Sequence, residues 1–560
     1  MIPRAAIGLA LATALCALAY DPLAEAAEPK RALGLALSAC GVSLWLARPT
    51  RSRVPQWGAR AALVFLALSA LSLGWGLPAG TRDLGTFSAA LGVGLLASQL
   101  GPRAARRATR LCALGLGAVS ASLAIGAALR GATPIELHAG QGNPNWLGLL
   151  LAITLPLSLD AARAFRRAAM GWRLSTFAAC AVQGPALYLS HSRVAWLAAS
   201  LTSIGFLWLT TARRGQRVLL SVALVATLAG VAASGRLSTG DVAFDRALAG
   251  RAWIWQHSAR AAWHAFPLGA GLGRFGHAYL DAQGEALAAL TPGQAARRFT
   301  NATTAHDDYL QAAVESGPLA TLLLGGALVF GACAHARRRW LGGAAALAAC
   351  ALTALADSPL RQPAIVLLVG LLLGVSERAR MPAPRRVPST LLALGALGVL
   401  ALLTQDALRG WLGTRARTLA RDQEPRAQIA ALTRAARLDP SSGETQLELG
   451  LARLRAGDAR GASTALARAD ATLADTATRL AIAEAELELS HAALAGRAFE
   501  RALAWNFGSF RARLGLAQVY LRQQRLDQAE REALTARRLL PGDPRARELL
   551  DAIHEAQMDH

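Results

Sequence analysis

The sequence predicts an all-α protein: a polytopic helical membrane bundle of about 12–13 transmembrane helices, followed by a helical-repeat domain. Three observations lead there. The 560-residue chain is 53% hydrophobic and only 17% charged, with a mean hydropathy of +0.32, too apolar for a soluble chain of this length. Apolar runs of about 17 to 20 residues, the length that crosses hydrocarbon, recur as far as Gln405. From Arg421 onward those runs stop and small residues return at a fixed interval.

Candidate spans begin near Ala5, Ala32, Ala61, Leu84, Leu111, Trp146, Leu174, Val194, Val218, Pro318, Trp340, Ala364 and Thr390. The first run, Ala5 to Ala19 after Arg4, also reads as a cleavable signal, but it lacks a small-residue cleavage site and many spans follow. An uncleaved first span is expected.

Orientation follows from arginine, because cytoplasmic loops retain positive charge during insertion. Alternate loops carry Arg48, Arg51, Arg53 and Arg60; Arg103, Arg106, Arg107 and Arg110; Arg163, Arg166, Arg167 and Arg173; Arg213, Arg214 and Arg217; Arg337, Arg338 and Arg339; and Arg378, Arg380, Arg385 and Arg386. The other loops are poorer in positive charge or balanced, as in Asp21 to Arg31, Arg82 with Asp83, and Arg130 to Gly142. The alternation puts the N-terminus inside and everything beyond Gln405 outside. Much of the formal charge of +23 thus belongs to cytoplasmic loops, and no nucleic-acid partner is expected. Lys30 is the only lysine. The six cysteines, Cys16, Cys40, Cys112, Cys180, Cys333 and Cys350, fall in apolar segments without zinc or disulfide spacing and are expected to pack as small residues.

In the C-terminal part Ala495 and Ala529 are 34 residues apart, as are Ala502 and Ala536, and Ala435 and Ala469. Pro440 and Pro541 close two units, and Leu449-Gly450, Phe499 and Tyr520 fit the remaining positions. Small residues where paired helices touch, at this period, are the tetratricopeptide signature. About three to four such units form a short superhelix whose concave face suits a protein partner or a glycan-assembly component.

Four polar clusters interrupt the apolar sequence, all at ends expected to face outward. Gly142-Asn143-Pro144-Asn145-Trp146 is, alone, a turn and a helix start, with asparagine as cap and proline in the first turn. Ser190-His191-Ser192-Arg193-Val194-Ala195-Trp196-Leu197 opens a span with an arginine, which by itself reads equally as an interfacial anchor. The third cluster lies in a long segment, about 234–316, that carries Trp253, Trp255, Trp263 and several histidines; long loops of this kind are functional or disordered, and its aromatic content favours function. Gly250-Arg251 and Trp255 are followed there by Phe266-Pro267-Leu268-Gly269-Ala270-Gly271-Leu272-Gly273-Arg274-Phe275. No strand precedes these glycines and no acidic residue follows at dinucleotide-site distance, so a backbone that bends sharply or approaches a ligand is the better account. The fourth is Ala305-His306-Asp307-Asp308-Tyr309-Leu310-Gln311, running on to Glu315-Ser316-Gly317. His306, Tyr309 and Leu310 are placed on one face at helical spacing, with Asp308 and Gln311 able to orient the imidazole or bind sugar hydroxyls. A lone histidine here reads more often as structural.

Together these residues resemble the O-antigen ligase and polymerase family, in which a span-initiating arginine is followed four positions later by leucine and a histidine precedes a glycine by eleven. Arg193 with Leu197, and His306 with Gly317, match both spacings. The Gly142–Asn145 turn, Gly250-Arg251 with Trp255, Pro267-Leu268-Gly269 and Asp357-Ser358-Pro359-Leu360-Arg361-Gln362-Pro363 follow in the family's order, over roughly Gly140 to Gly374. Asp307 stands where the family has asparagine, and Val194 where it has glycine; Asp307 is the departure that bears on the protonation of His306.

The resemblance implies transfer of a glycan from an undecaprenyl-diphosphate carrier to an acceptor hydroxyl on the periplasmic face of a bacterial inner membrane, with neither cofactor nor metal. Arg193 and Arg251 would hold the diphosphate bidentately and His306 would be the base, giving the catalytic set. Asn143, Asn145, Trp255, Asp308, Gln311 and Arg361 complete the expected substrate-binding set. The acceptor is lipid A-core, a growing polysaccharide or, for a protein O-oligosaccharyltransferase of the same family, a protein. The domains are then residues 1–233, helices one to nine; 234–316, a periplasmic loop carrying part of the active site; 317–405, helices ten to thirteen; and 421–560, periplasmic repeats. A transporter would show repeats among its spans and ionisable groups at mid-membrane, whereas here the polar groups gather at one surface. A scaffold that merely anchors the repeats needs only one span.

Overall fold

In the computed structural model the described residues, 4–47, 57–237, 242–375 and 389–558, form helices and no strand. A helix stands at each expected span: α1 Arg4–Leu18, α2 Ala27–Ala47, α3 Trp57–Ser72, α4 Gly80–Gln99, α5 Pro102–Leu129, α6 Pro144–Ala164, α7 Met170–Leu189, α8 Arg193–Thr210 and α9 Arg214–Leu237. After α10 Val242–His264, α11 Phe275–Ala288 and α12 Pro292–Arg298, the series resumes with α13 Asp308–Arg337, α14 Leu341–Thr353, α15 Pro363–Leu373 and α16 Ser389–Ala420. Among the described residues five stretches are long and apolar enough to cross a membrane, Trp57–Trp75, Pro102–Leu129, Pro144–Ala164, Arg193–Thr210 and Asp308–Arg337. The apolar helices α1, α14 and α15 are shorter.

The centre of the bundle is built on α6 and α15, which are buried on every side over Leu147–Thr154 and Pro363–Leu372. Glycines let helices approach closely where lipid supplies no hydrophobic drive. A Cβ on Gly370 would lie 2.3 Å from the Ala90 carbonyl oxygen, and one on Gly58 2.6 Å from that of Ala327. Cys16, Cys112 and Cys350 pack inside as expected, whereas Cys40 and Cys333 are exposed on the bundle surface.

The two ends of the bundle differ. At one, Asp160 near the end of α6 accepts from Arg110 Nε at 2.7 Å and Trp340 Nε1 at 2.8 Å, with Arg106 over the Trp340 ring. Arg163, Arg337 and Arg338 join this end through α6 and α13. Of the arginines in the alternation, Arg48, Arg51, Arg53, Arg378, Arg380, Arg385 and Arg386 lie outside the described residues.

The segment between α9 and α13 is helical for most of its length rather than an open loop. On the C-terminal side, α16 runs unbroken through 406–420 into the repeats, where Ala420 packs with Ala431, Leu432 and Leu449. The repeat helices are α17 Pro425–Leu438, α18 Gly443–Arg455, α19 Ala459–Asp470, α20 Thr476–Glu488, α21 Ala492–Trp505, α22 Phe510–Arg522, α23 Leu526–Leu539 and α24 Pro544–Met558. The periodic residues Ala435, Ala469, Ala495, Ala502, Ala529 and Ala536 are all buried, since only a methyl fits where paired helices touch.

Candidate active site

The end of the bundle opposite Asp160 gathers the starts of α6, α8 and α13. Asn143 caps α6, its Oδ1 accepting from Asn145 N at 2.8 Å, and Pro144 is the first helical residue. The preceding turn is tied to α2 by the buried Lys30, whose Nζ donates to the carbonyls of Gly140 at 2.6 Å and Ala26 at 2.8 Å. Arg193 opens α8 as expected, half-buried, behind a cap in which Ser192 accepts from Ala195 N. These two helix starts touch: a Cβ on Gly148 of α6 would meet Ser190 Oγ at 2.6 Å and Ser192 Cβ at 2.9 Å. Next to them ends α14, whose first turn packs on Asp160 through Gly342 and whose last carbonyl region, Ala354 O, accepts from Asp308 N at 2.9 Å.

His306 does not lie on a helix face with Tyr309 and Leu310. It sits before α13, in left-handed backbone with φ +49°, and the three side chains part company. Tyr309 donates from its hydroxyl to Ala351 O at 3.1 Å inside the bundle, while Leu310 packs against the apolar cluster of α10, α11 and α13. The reason is the cap. Asp307 Oδ1 accepts from the amides of Tyr309 at 2.8 Å and Leu310 at 2.9 Å, which ends the helix there and turns the preceding residue aside. Asp307 therefore faces the helix backbone, and burial raises its carboxyl pKa despite those two bonds. The imidazole is 45% exposed, and its Nδ1 is 3.9 Å from Asp357 Oδ1, an ion-pair distance just beyond hydrogen bonding.

Beneath His306 lies a buried polar network. Asp308 Oδ2 accepts from Leu360 N at 2.8 Å, fastening the Asp357–Pro363 turn to α13. Gln311 accepts from Ala305 N at 3.2 Å and donates to Glu315 Oε1 at 3.4 Å. Arg361 pairs with Glu315 at 2.5 Å and with Asp83 of α4. Asp308, Gln311 and Arg361 are thus committed to protein partners.

The glycine-rich stretch has a structural use. Gly269, Gly271, Gly273 and Gly317 all have positive φ, and Ala270 N and Gly271 N donate to the carbonyls of Val314 at 2.7 Å and Glu315 at 3.0 Å. A Cβ on Gly317 would lie 2.3 Å from Pro267 O, and one on Gly271 2.6 Å from Trp75 O. The close approach that the glycines permit is to backbone, between the α3–α4 turn and the kink of α13. Arg251 and Trp255 stand on α10, whose Ile254 shares the apolar cluster containing Ala305 and Val314. Trp253 Nε1 donates to Gln283 at 3.0 Å, while Trp255 Nε1 is buried without a protein acceptor.

The structure thus joins Asn143, Asn145 and Arg193 at the α6 and α8 starts, and His306, Asp308, Gln311 and Arg361 around α13. Three residues of this region had no expected role: Asp357, Glu315 and Asp83. Asp357 stood in a motif without an assignment, Glu315 in a helical run, and Asp83 in a balanced loop; only a partner far away in sequence marks them.

Residues 178–325 match the family described as O-antigen ligase, and residues 486–553 match the tetratricopeptide repeat. No curated protein matches the sequence. Two solved structures resemble it weakly. The Cut9–Hcn1 hetero-tetramer of the APC/C is 12% identical over 84% of this chain and 90% of that one, with a TM-score of 0.23. The P58(IPK) TPR domain is 13% identical over 72% of this chain and 98% of that one, with a TM-score of 0.16. The first family match takes in Arg193, Arg251, Trp255 and His306, and the chain combines several helices long and apolar enough to cross a membrane with a region that matches the O-antigen ligase family and a C-terminal region that matches the tetratricopeptide repeat.

Proposed function

We propose that this protein transfers a glycan from an undecaprenyl-diphosphate carrier to an acceptor hydroxyl on the periplasmic face of the inner membrane. His306 Nε2 takes the acceptor proton; the freed oxygen attacks the anomeric carbon, and the bond from that carbon to the diphosphate oxygen breaks. Undecaprenyl diphosphate leaves with the electron pair, its charge met by Arg193 and Arg251, whose planar donor sets suit phosphate oxygens. Asp357 faces Nδ1 and stabilises the imidazolium as the proton arrives, in the manner of a carboxylate behind a catalytic histidine. Asn143, Asn145 and Trp255 are assigned to the donor and acceptor sugars. Asp308, Gln311 and Arg361 hold the His306 and Asp357 segments together, a supporting rather than a binding role. The acceptor proposed is lipid A-core or a growing polysaccharide; transfer to protein is the family's other branch.

The observation that carries this reading is the half-exposed His306, turned out of its helix and backed by Asp357, at the bundle end where Arg193 opens α8. The test is a deletion strain complemented with His306→Ala or Arg193→Ala. Each variant is expected to insert normally and to restore no surface glycan; normal glycan in either rejects the assignment. In the deletion itself, lipid-linked polymer accumulating without long glycan on lipid A marks a ligase, single-unit products mark a polymerase, and unmodified glycoprotein marks the protein-transferring branch.

A further inference from the structure

Three successive turns between repeats lie along one edge of the C-terminal domain, and they meet the rest of the chain in order. After α17, Asp439 pairs with Arg82 of α4 and packs on α16, where a Cβ on Gly413 would lie 2.6 Å from Asp439 Cβ. After α19, Asp475 Oδ1 accepts from Asn301 Nδ2 at 3.0 Å, and Ala474 lies against Gly276 at the start of α11, where a Cβ would come within 2.8 Å. At the end of α21, Trp505 Nε1 donates to Asp281 Oδ1 at 2.6 Å. There the Ala504 carbonyl oxygen occupies space 2.1 Å from where a Gly284 Cβ would stand, and Gly508 is pressed on Pro292 and Ala296 of α12.

The first turn is fixed to the membrane bundle, the next two to the segment that leads to His306. Trp505 is 1% exposed, and Arg479 stacks over its ring. Although it belongs to the repeats, its indole shares one apolar cluster with Ile254, Phe275, Tyr279, Ala305 and Val314. Ala305 is the residue before His306. Burial of a tryptophan, a charge-assisted bond from its N–H and glycines that allow backbone contact make this a built interface rather than a graze.

We propose that this edge of the repeat domain is a docking surface for α11 and α12 of the same chain, and that Trp505 is a positioning residue for His306, acting through the apolar cluster that ends at Ala305. The proposal rests on His306 being the base. Misplacing a catalytic group by about 1 Å costs up to about 100-fold in rate, so a distant anchor has leverage.

The test uses full-length protein in proteoliposomes, with undecaprenyl-diphosphate-linked glycan isolated from the deletion strain as donor. Trp505→Ala is expected to lower kcat by about tenfold or more with a smaller change in donor KM, because Arg193 opens α8, outside the cluster, and only Arg251 stands on a helix that contributes to it. Trp505→Phe, which keeps an aromatic ring of smaller size and loses the N–H, is expected to lose only about threefold. Amide exchange in α11 should quicken in Trp505→Ala, and an Asn301→Cys, Asp475→Cys crosslink in that background should restore kcat. Asp281→Asn, expected to match Trp505→Phe, serves if Trp505→Ala does not fold. Quickened exchange with unchanged kcat overturns the positioning role, as does a crosslinked protein that stays slow; unchanged exchange overturns the docking. Full transfer by His306→Ala would instead remove the catalytic reading and leave the docking to stand on the exchange data.

Discussion

At the scale of single residues, the site depends on side chains held by partners remote in sequence. His306 and Asp357 are separated by α13 and α14, yet the Asp308 bond to Leu360 N brings their segments within ion-pair distance. Asp357→Asn removes the charge and keeps the shape, so kcat is expected to fall by about 10- to 100-fold with donor KM unchanged, measured by transfer in vitro. Asp307 differs from the family's asparagine without losing the cap, since either side chain accepts from the first amides of a helix. Its carboxyl is held above the ordinary range by burial, so ionisation at neutral pH opposes folding. Asp307→Asn is therefore expected to leave transfer within about threefold and to raise stability at pH 7, read as a higher Tm in detergent. Lower stability in that variant would mean that the charge contributes to the cap.

At the scale of elements, small residues decide which segments meet. The Pro267–Gly273 segment is threaded between the α3–α4 turn and the α13 kink, and Ser72 Oγ meets Ser316 Oγ at 3.0 Å beside it. Gly317→Ala puts a Cβ into the Pro267 carbonyl and forces an L-residue to φ +83°. That backbone, with φ 83° and ψ 171° in a region open essentially to glycine, costs about 1–3 kcal/mol for alanine and the overpacking about 1–3 more, which should appear as a lower Tm together with loss of transfer. Gly293, with open space around its Cβ, is the control and should tolerate alanine. The length of the apolar runs placed α3, α4 and the membrane part of α13, but helical spacing put His306 on the face of α13. The helix in fact starts two residues later, because the Asp307 cap ends it.

At the scale of the whole molecule, the repeats are fixed to α4 and α16 at one turn and to the α11–α12 segment at the next two. One consequence is a pH dependence. His277 of α11 is packed against the second turn, and burial, with Arg274 and Arg479 nearby, lowers its pKa below the ordinary value although Asp470 opposes the shift. The docked state thus disfavours the proton. The contribution of His277 to docking is fully present above about pH 6.5, where the undocked histidine is neutral, and is lost as pH falls below that value and the undocked form protonates. A Tm that drops between pH 7.5 and 5.5, with a smaller drop in His277→Gln, is the expected outcome; equal drops would place the sensitivity elsewhere.

Hydropathy and the 34-residue period were enough for the sequence alone to determine a helical bundle with several apolar spans and a helical-repeat domain, because each is a local pattern repeated over many residues. The cap at Asn143 and the arginine opening α8 were legible as short local signals, whereas the Ser192 cap was seen only in the structure. Tertiary structure alone decided that Asp357 faces His306, that Arg361 is claimed by Glu315 and Asp83, and that Trp505 reaches the core behind the site. Those contacts join residues tens to hundreds of positions apart, and no periodicity encodes a partner across such a distance; only packing selects it.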